Sequence, residues 1–415
     1  GCHGEGKGID LRAKQLRKDY KGRYSPAYLA LHGYVRRAGY ESDYHMMKPA
    51  AYAANTASLV QMLKKGHHGT KLTDEEWQRL YTWIDFNIPY APTWRQSHQP
   101  PADEQVARRA KYKRLYANLD DRDEEIHPAP PVATFERPTG AMSKGQTATA
   151  DGWPWTSEVA KQRQKALAKE ELVLDLGDGV SMALVPVPAG QFVMGDARGY
   201  PDESQERAAT VSDWFYMAKF EVTNQQYARF DPEHDSGYID GRGKDRTTRG
   251  YAINAPQQPV VRISWARARK FCDWLSARTG RTVDLPSEEE WEYACRAGTN
   301  TQWSFGQYNP KNVTMNIADE RIRRWGWGRV ETGYNDGTKF TAEVGRYTPN
   351  AWGLHDLHGN VAEWTRSDAV DAAGQKVVRG GSWNDTARHA RSASRWRYPA
   401  WQPVYNVGFR IIVRP

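Results

Sequence analysis

The period of the apolar and polar positions changes several times along the chain, and each change marks an element. Leu172, Leu174 and Leu176 alternate with Val173 and Asp175, and a second strand-like run covers 182–187. With Gly177 and Gly179 between them, a two-strand hairpin is expected. Over 265–277 the spacing becomes helical, because Ala268, Phe271, Cys272 and Leu275 share one face. Ser287 and Glu290 have the spacing of a capping box ahead of a helix over 288–296. Upstream, Thr73-Asp74-Glu75-Glu76 opens another helix with Trp77, Leu80, Tyr81 and Ile84 on one side, and Ser25-Pro26 begins a helix-like run to Leu31. Charged helices are expected over 104–122 and 157–171. Apolar residues are sparse over 96–172, where Pro128-Ala129-Pro130-Pro131 interrupts the chain, so this stretch reads as a connector. Beyond 296, irregular Gly- and Asn-rich structure is expected up to the terminal strands.

Composition narrows the classes. A chain of 415 residues has room for roughly two or three domains. Apolar residues make up 39%, with 17 Trp and 22 Tyr, which describes a globular, aromatic-rich protein. No apolar run reaches the ~18 residues that a transmembrane helix needs. The net charge of +8 comes from 58 basic residues interspersed among 50 acidic ones, so no nucleic-acid partner is expected. Three cysteines are too few for a disulfide framework. The sequence opens at Gly1 inside what reads as a motif, so the lack of a signal peptide says nothing about compartment.

Several motifs occur in a telling order. Leu184-Val185-Pro186-Val187-Pro188-Ala189-Gly190-Gln191-Phe192-Val193-Met194-Gly195 comes first, then Glu221-Val222-Thr223-Asn224 and Leu285-Pro286-Ser287-Glu288-Glu289-Glu290-Trp291-Glu292. Asp356-Leu357-His358-Gly359-Asn360-Val361-Ala362-Glu363-Trp364, Arg379-Gly380-Gly381-Ser382-Trp383 and Asn406-Val407-Gly408-Phe409-Arg410 follow. Over 173–415 this series resembles the formylglycine-generating enzyme (sulfatase-modifying factor) family. The resemblance implies an α+β, C-type-lectin-like fold with much irregular structure. It also implies two structural calcium sites, whose mixed oxygen ligands suit a hard cation. One would use the Asn316 side chain, the Ile317 carbonyl, the Asp336 side chain and the Thr338 carbonyl. The other would use the Asp356 side chain, the Gly359 and Val361 carbonyls and the Glu363 side chain, with pairing of Glu363 to a nearby arginine as the competing reading.

The resemblance bears on chemistry too. Members that oxidise a sulfatase cysteine bind copper(I) through two thiolates just after the Arg-Gly-Gly-Ser motif, and soft thiolates are what copper(I) requires. Here those positions fall at Asp385 and Ala390, so neither copper nor the oxidase reaction is expected. Cys272 and Cys295 stand where the family places disulfide halves, but their partners' positions, near Ile411 and Arg395, hold no cysteine; two buried, unreactive thiols are expected. A branch that makes ergothioneine-type sulfur bonds uses an added His-x3-His-x-Glu pattern, which this sequence does not contain.

The remaining cleft residues are Ser382, Trp383, Asn384, Asp385, Arg388, His389, Arg391, Arg395 and Trp396. Arginine beside tryptophan suits an anionic or carbohydrate-like ligand, or a protein partner. Internal ion pairing of Arg391 and Arg395 is the plainer alternative. Asp385, His389 and Ser382 are the catalytic candidates, with Asp385 and His389 as a conceivable acid–base pair.

At the N-terminus, Cys2-His3 matches the back half of a C-x-x-C-H site for covalent haem c. A glycine-flanked loop with His67 and His68 precedes the helix opened by Thr73, an order that resembles the end of small c-type cytochromes. His45, Met46 and Met47 compete as distal ligands. The segment over 24–94 also resembles the cytochrome-like domain of large planctomycete proteins and of the hydrazine synthase alpha subunit. The expected organisation is therefore a small all-α cytochrome c-like domain at 1–95, a linker at 96–172 and the larger domain at 173–415. The expected function is an exported, haem c-carrying electron-transfer or scaffold subunit, periplasmic or extracellular, that works with other subunits or a redox partner protein. The alternatives are an enzyme with non-standard chemistry in the cleft and a structural component without haem.

Overall fold

The computed structural model describes residues 11, 17–19, 22–35, 53–86, 102–117, 148–239, 250–323, 330–370 and 372–415. The expected haem residues Cys2 and His3 lie outside these, as do His45, Met46, Met47 and the side chain of His68. Contacts divide the chain into two units, Gly1–Gly33 with Leu72–Met142, and Tyr34–Lys71 with Ser143–Pro415. The described residues 53–71, placed with the N-terminal part on sequence grounds, thus pack with the large domain.

The smaller unit carries a short antiparallel hairpin, Arg17–Asp19 with Gly22–Tyr24, and helices Pro26–Leu31, Asp74–Asp85 and Ala102–Ala117. Both expected caps are present. The Ser25 side chain accepts from the Tyr28 N–H, and Thr73 with Glu76 completes a capping box at Asp74–Asp85. Tyr28 meets Trp83 edge-on at 6.5 Å, which joins the first two helices.

In the larger unit, α1 (Ser58–Lys64) and α2 (Ser157–Ala166) precede the sheets. The expected hairpin is β1 (Leu172–Gly177) and β2 (Val180–Val187), turned through Gly177, Asp178 and Gly179, all at positive φ. β3 (Gly190–Met194) pairs with β4 (Arg207–Val211), and β5 (Phe215–Ala218) returns beside β2. After α3 (Trp265–Thr279) come β6 (Thr282–Asp284) and α4 (Glu288–Arg296). The terminal strands are β7 (Ala362–Asp368), β8 (Gln375–Arg379), β9 (Arg395–Pro399), β10 (Val407–Gly408) and β11 (Ile412–Arg414). They build a five-stranded antiparallel sheet in the order β6-β11-β5-β2-β1 and a four-stranded sheet in the order β9-β8-β7-β10, whose last pair is parallel.

Two apolar clusters hold these layers. In one, α3 lays the expected Ala268, Phe271, Cys272 and Leu275 against the first sheet, with Trp364 and Phe409 across from them. The other gathers Trp155, Phe192, Trp291, Tyr293 and Trp352 around α4. Fully burying an aromatic side chain of this kind contributes about 2–3 kcal/mol. Helix α4 is capped by the Ser287/Glu290 box, and Glu288, Glu290 and Glu292 are buried on its inner side. Glu288 and Glu292 pair there with Arg379 at the end of β8, which fixes the strand that leads into the cleft. This is a mixed helix and sheet fold with long irregular stretches between its elements.

Candidate functional site

The cleft is built by a reversal that only glycine permits. Beyond Arg379 the chain runs through Gly380 and Gly381 at φ +92° and +69°. A Cβ on Gly381 would sit 2.7 Å from the His389 carbonyl oxygen, so the pair lets the chain pass tightly under the turn at Ala387–His389.

This passage places Ser382 at the base, fully buried. Its hydroxyl donates to Asp385 Oδ2 at 2.6 Å and accepts from Asn406 Nδ2 at 2.8 Å and the Asn384 N–H at 3.2 Å. Burial pushes the Asp385 carboxyl up to about 6. His389 is engaged elsewhere. Its Nε2 lies 3.0 Å from the Tyr200 hydroxyl, its Nδ1 3.2 Å from Thr386 Oγ1, and its ring stacks parallel to Tyr200. Asp385 and His389 thus lie in one cleft, each held by other neighbours, and Ser382 is not poised as a nucleophile.

The arginines sort themselves by burial. Arg391 joins Asp196 at 3.2 Å and Glu203, and Arg395 donates from Nε to Glu288 Oε1 at 2.8 Å and from Nη2 to Oε2 at 2.9 Å. Both serve as internal ion-pair partners, the plainer of the two sequence readings, so the expected anion clamp is reduced to Arg388. That residue is exposed, with its guanidinium 4.4 Å from the Tyr200 ring centroid. Trp383 is a core residue rather than a wall, packed edge-on against Phe340 at 4.9 Å and Tyr405 at 5.9 Å. Asn384 donates to the Tyr405 hydroxyl at 2.8 Å. Trp396 is buried as well, with its ring tilted against His389 at 5.1 Å.

Lys65, Tyr200 and Glu203 also belong here and were missed from sequence. The Lys65 ammonium lies 2.7 Å from Glu203 Oε1 and 4.6 Å from the Trp396 ring centroid. Nothing in the local pattern around Lys65 points to a site more than a hundred residues away. His67, the distal-ligand candidate of the described chain, lies in the short turn His67–Gly69 that follows.

The two expected calcium sets adjoin each other through an isolated bridge between Asn316 and Gly359, and the Asn360 N–H donates to the Asn316 carbonyl at 2.8 Å. Gly359, at φ +88°, lies against that carbonyl, and Val361 runs directly into β7. In the first set, Asn316 Oδ1 is buried with no donor. Asp336 accepts from the N–H groups of Ile317 and Thr338 at 3.1 and 2.7 Å. Burial and the neighbouring Asp319 push its carboxyl up to about 7. An orphaned amide oxygen beside a carboxyl that is costly to ionise fits a hard cation.

The second set fits less simply. Glu363 is held by Arg410 at 2.6–2.9 Å and by Trp291 Nε1 at 2.6 Å, so the competing arginine reading describes it. The unpartnered oxygens belong instead to Asp356 Oδ1 and to both carboxylate oxygens of Glu221. Burial raises both carboxyls, Asp356 to about 6 and Glu221 well above its usual range. Glu221 was legible only as part of a family motif. Asp356 also lines a cavity of about 600 Å³ with Ser304, Phe305, Trp352 and His358. No group of three or more His, Cys, Asp or Glu is gathered for a metal among the described residues; each expected set relies on two side chains plus carbonyls.

The pattern of the sulfatase-modifying factor enzyme 1-like domain matches residues 178–415, more than half of the chain. The chain belongs to this family. The inactive C-alpha-formylglycine-generating enzyme 2 of Bos taurus is 30% identical over 57% of this chain and 90% of its own length. The formylglycine-generating enzyme of Bos taurus is 27% identical over 55% of this chain and 73% of that protein. Among solved structures, PvdO from Pseudomonas aeruginosa is similar at 25% identity, with a TM-score of 0.48, covering 60% of this chain and all of PvdO.

Of the two cysteines among the described residues, Cys295 lies near the cleft, with its sulfur 3.6 Å from both Ser392 Oγ and His358 Nε2, while Cys272 faces the core from α3. Cys272 and Cys295 are buried and in no disulfide, and burial pushes both thiols up to about 12. Such thiols are poor nucleophiles and poor metal ligands.

Proposed function

We propose that the protein is a binding and scaffold module rather than a thiol oxidase, and that it serves an exported, haem c-carrying electron-transfer assembly. The observation that carries the first part is the content of the two cleft positions assigned to copper-binding cysteines. Asp385 is bonded to Ser382, and Ala390 is buried without any polar side chain. A relative described as inactive gives this reading further support. Incubation with a sulfatase peptide bearing the target cysteine should yield no aldehyde, with or without copper; aldehyde formation would overturn the reading.

The haem part rests on Cys2-His3. Because haem c is attached outside the cytoplasm, this reading places the protein in the periplasm or outside the cell. Partner subunits or a redox protein would then dock on it. A pyridine haemochrome spectrum, together with a haem-sized mass on the Cys2 peptide, tests it. No band and an unmodified Cys2 would remove electron transfer and leave the binding module.

Calcium is the structural ion of this reading. It would be held by Asn316 and Asp336 with the Ile317 and Thr338 carbonyls, and near Asp356, where Glu221 offers the unpartnered carboxylate. Its role would be to tie loops that have little regular structure of their own.

A further inference from the structure

Segment 53–70 lies on the large domain as a peptide lies on a receptor. Asn55 and Gln402 exchange side-chain hydrogen bonds, with Gln402 Nε2 donating to Asn55 Oδ1 at 2.9 Å. Gln61, on α1, donates to the Tyr398 hydroxyl. The helix ends at Gly66 in the left-handed region, φ +75°, where a Cβ would stand 3.0 Å from Pro201. Just before that turn, Lys65 enters the cleft and is only 3% exposed.

The receptor for Lys65 is built without it. Glu203 Oε2 is held by Arg391 and by the Tyr200 N–H at 3.3 Å, which leaves Oε1 for the ammonium at 2.7 Å. Asp202 adds a second carboxylate at 3.5 Å, and the rings of Trp396 and Tyr200 lie 4.6 and 5.2 Å from the nitrogen. Carboxylates and two aromatic faces packed around a buried nitrogen are what a primary ammonium needs, since each offsets part of the charge's lost hydration. The same domain surface holds the amide and hydroxyl partners of the Asn55 and Gln61 side chains, so two further side chains of the segment are recognised along with the charge.

The segment is also set apart in sequence, since residues 72–142, which separate it from the rest of its unit, are assigned to the other unit.

We propose that the cage of Tyr200, Trp396 and Glu203 is a lysine-recognition site, occupied by the chain's own segment 53–70 and open to a lysine-bearing segment of a partner polypeptide that displaces it. This deepens the reading of the domain as a binding module. Its test reads occupancy of the cage, whereas the oxidase assay reads aldehyde, so either can fail alone.

The test uses the full chain and a synthetic peptide of residues 53–70. An excess of peptide over the unaltered protein should speed amide exchange across Ser58–Lys64 by about tenfold or more, with β7 and β8 unchanged. The same peptide carrying Lys65→Met should do so at least about tenfold less well. In the full chain, Lys65→Met combined with Gln61→Ala should release the segment and raise the affinity for labelled peptide by a similar factor. Unchanged exchange at saturating peptide, or equal action of the Lys65→Met peptide, would overturn the proposal. The peptide arm needs no altered protein, so misfolding of the double variant leaves the question decidable.

Discussion

The Ser382 hydroxyl donates a hydrogen bond to Asp385 Oδ2 across 2.6 Å, deep in the place where sequence reasoning put a catalytic group. Both atoms are shielded from water, and the carboxyl is pushed up to about 6 by burial.

A pH dependence follows. A carboxyl whose folded pKa is raised binds its proton more tightly folded than unfolded. Its stabilising contribution is complete below the unfolded value near 3.9 and is lost as pH rises through about 6. Asp385→Asn should therefore match the unaltered protein at pH 4–5 and exceed it by about 2 kcal/mol at pH 8. Urea unfolding at the two pH values measures this; a difference that shrinks with rising pH would refute it.

Gly381→Ala is expected to lower stability by about 2–4 kcal/mol, since it combines a left-handed backbone with a 2.7 Å approach to the His389 carbonyl. Thermal melting reads it. Gly374→Ala, at φ +73° but with open space around it, should cost only about 1 kcal/mol and serves as the control.

Arg410 is the only cation bonded to Glu363 among the described residues, and it neighbours Glu221 and Asp356 as well. Arg410→Met leaves that buried acidic cluster without its counter-charge and should cost about 3–5 kcal/mol. Arg388→Met, exposed over Tyr200, should cost no more than about 1 kcal/mol. Chemical denaturation of the two variants in parallel decides the ranking.

Calcium should raise the melting temperature of the chelator-treated protein by several degrees, of order 1–2 kcal/mol or more at saturating ion. Glu221→Gln should raise the melting temperature in chelator and shrink the calcium response. A response of unaltered size would exclude Glu221 as a ligand.

Cys272 and Cys295 should resist a thiol reagent in the native protein and react together on unfolding, because both are buried with thiols pushed up to about 12.

Local patterns were legible where the cause is local. The box of Ser287 and Glu290, the turn at Gly177 and Gly179, and the apolar face of Ala268, Phe271, Cys272 and Leu275 follow from spacing alone. The charged helix that opens at Ser157 ends sooner than its composition suggests, at Ala166 rather than 171. Charge density says nothing about where backbone bonding stops. The division between ligand-facing and internal arginines was not legible, because it depends on carboxylates far away in sequence: Asp196 and Glu203 for Arg391, and Glu288 for Arg395. Lys65 escaped for the same reason, since its partners Glu203 and Trp396 are contributed by a remote loop and by β9.

Strand β11 lies between β6 and β5 in the five-stranded sheet, although it is made from residues 412–414. As the chain is synthesised, β5 and β6 have no strand between them until these residues emerge, so that sheet is the later of the two to gain its central pairing and the apolar faces of β5 and β6 wait for it.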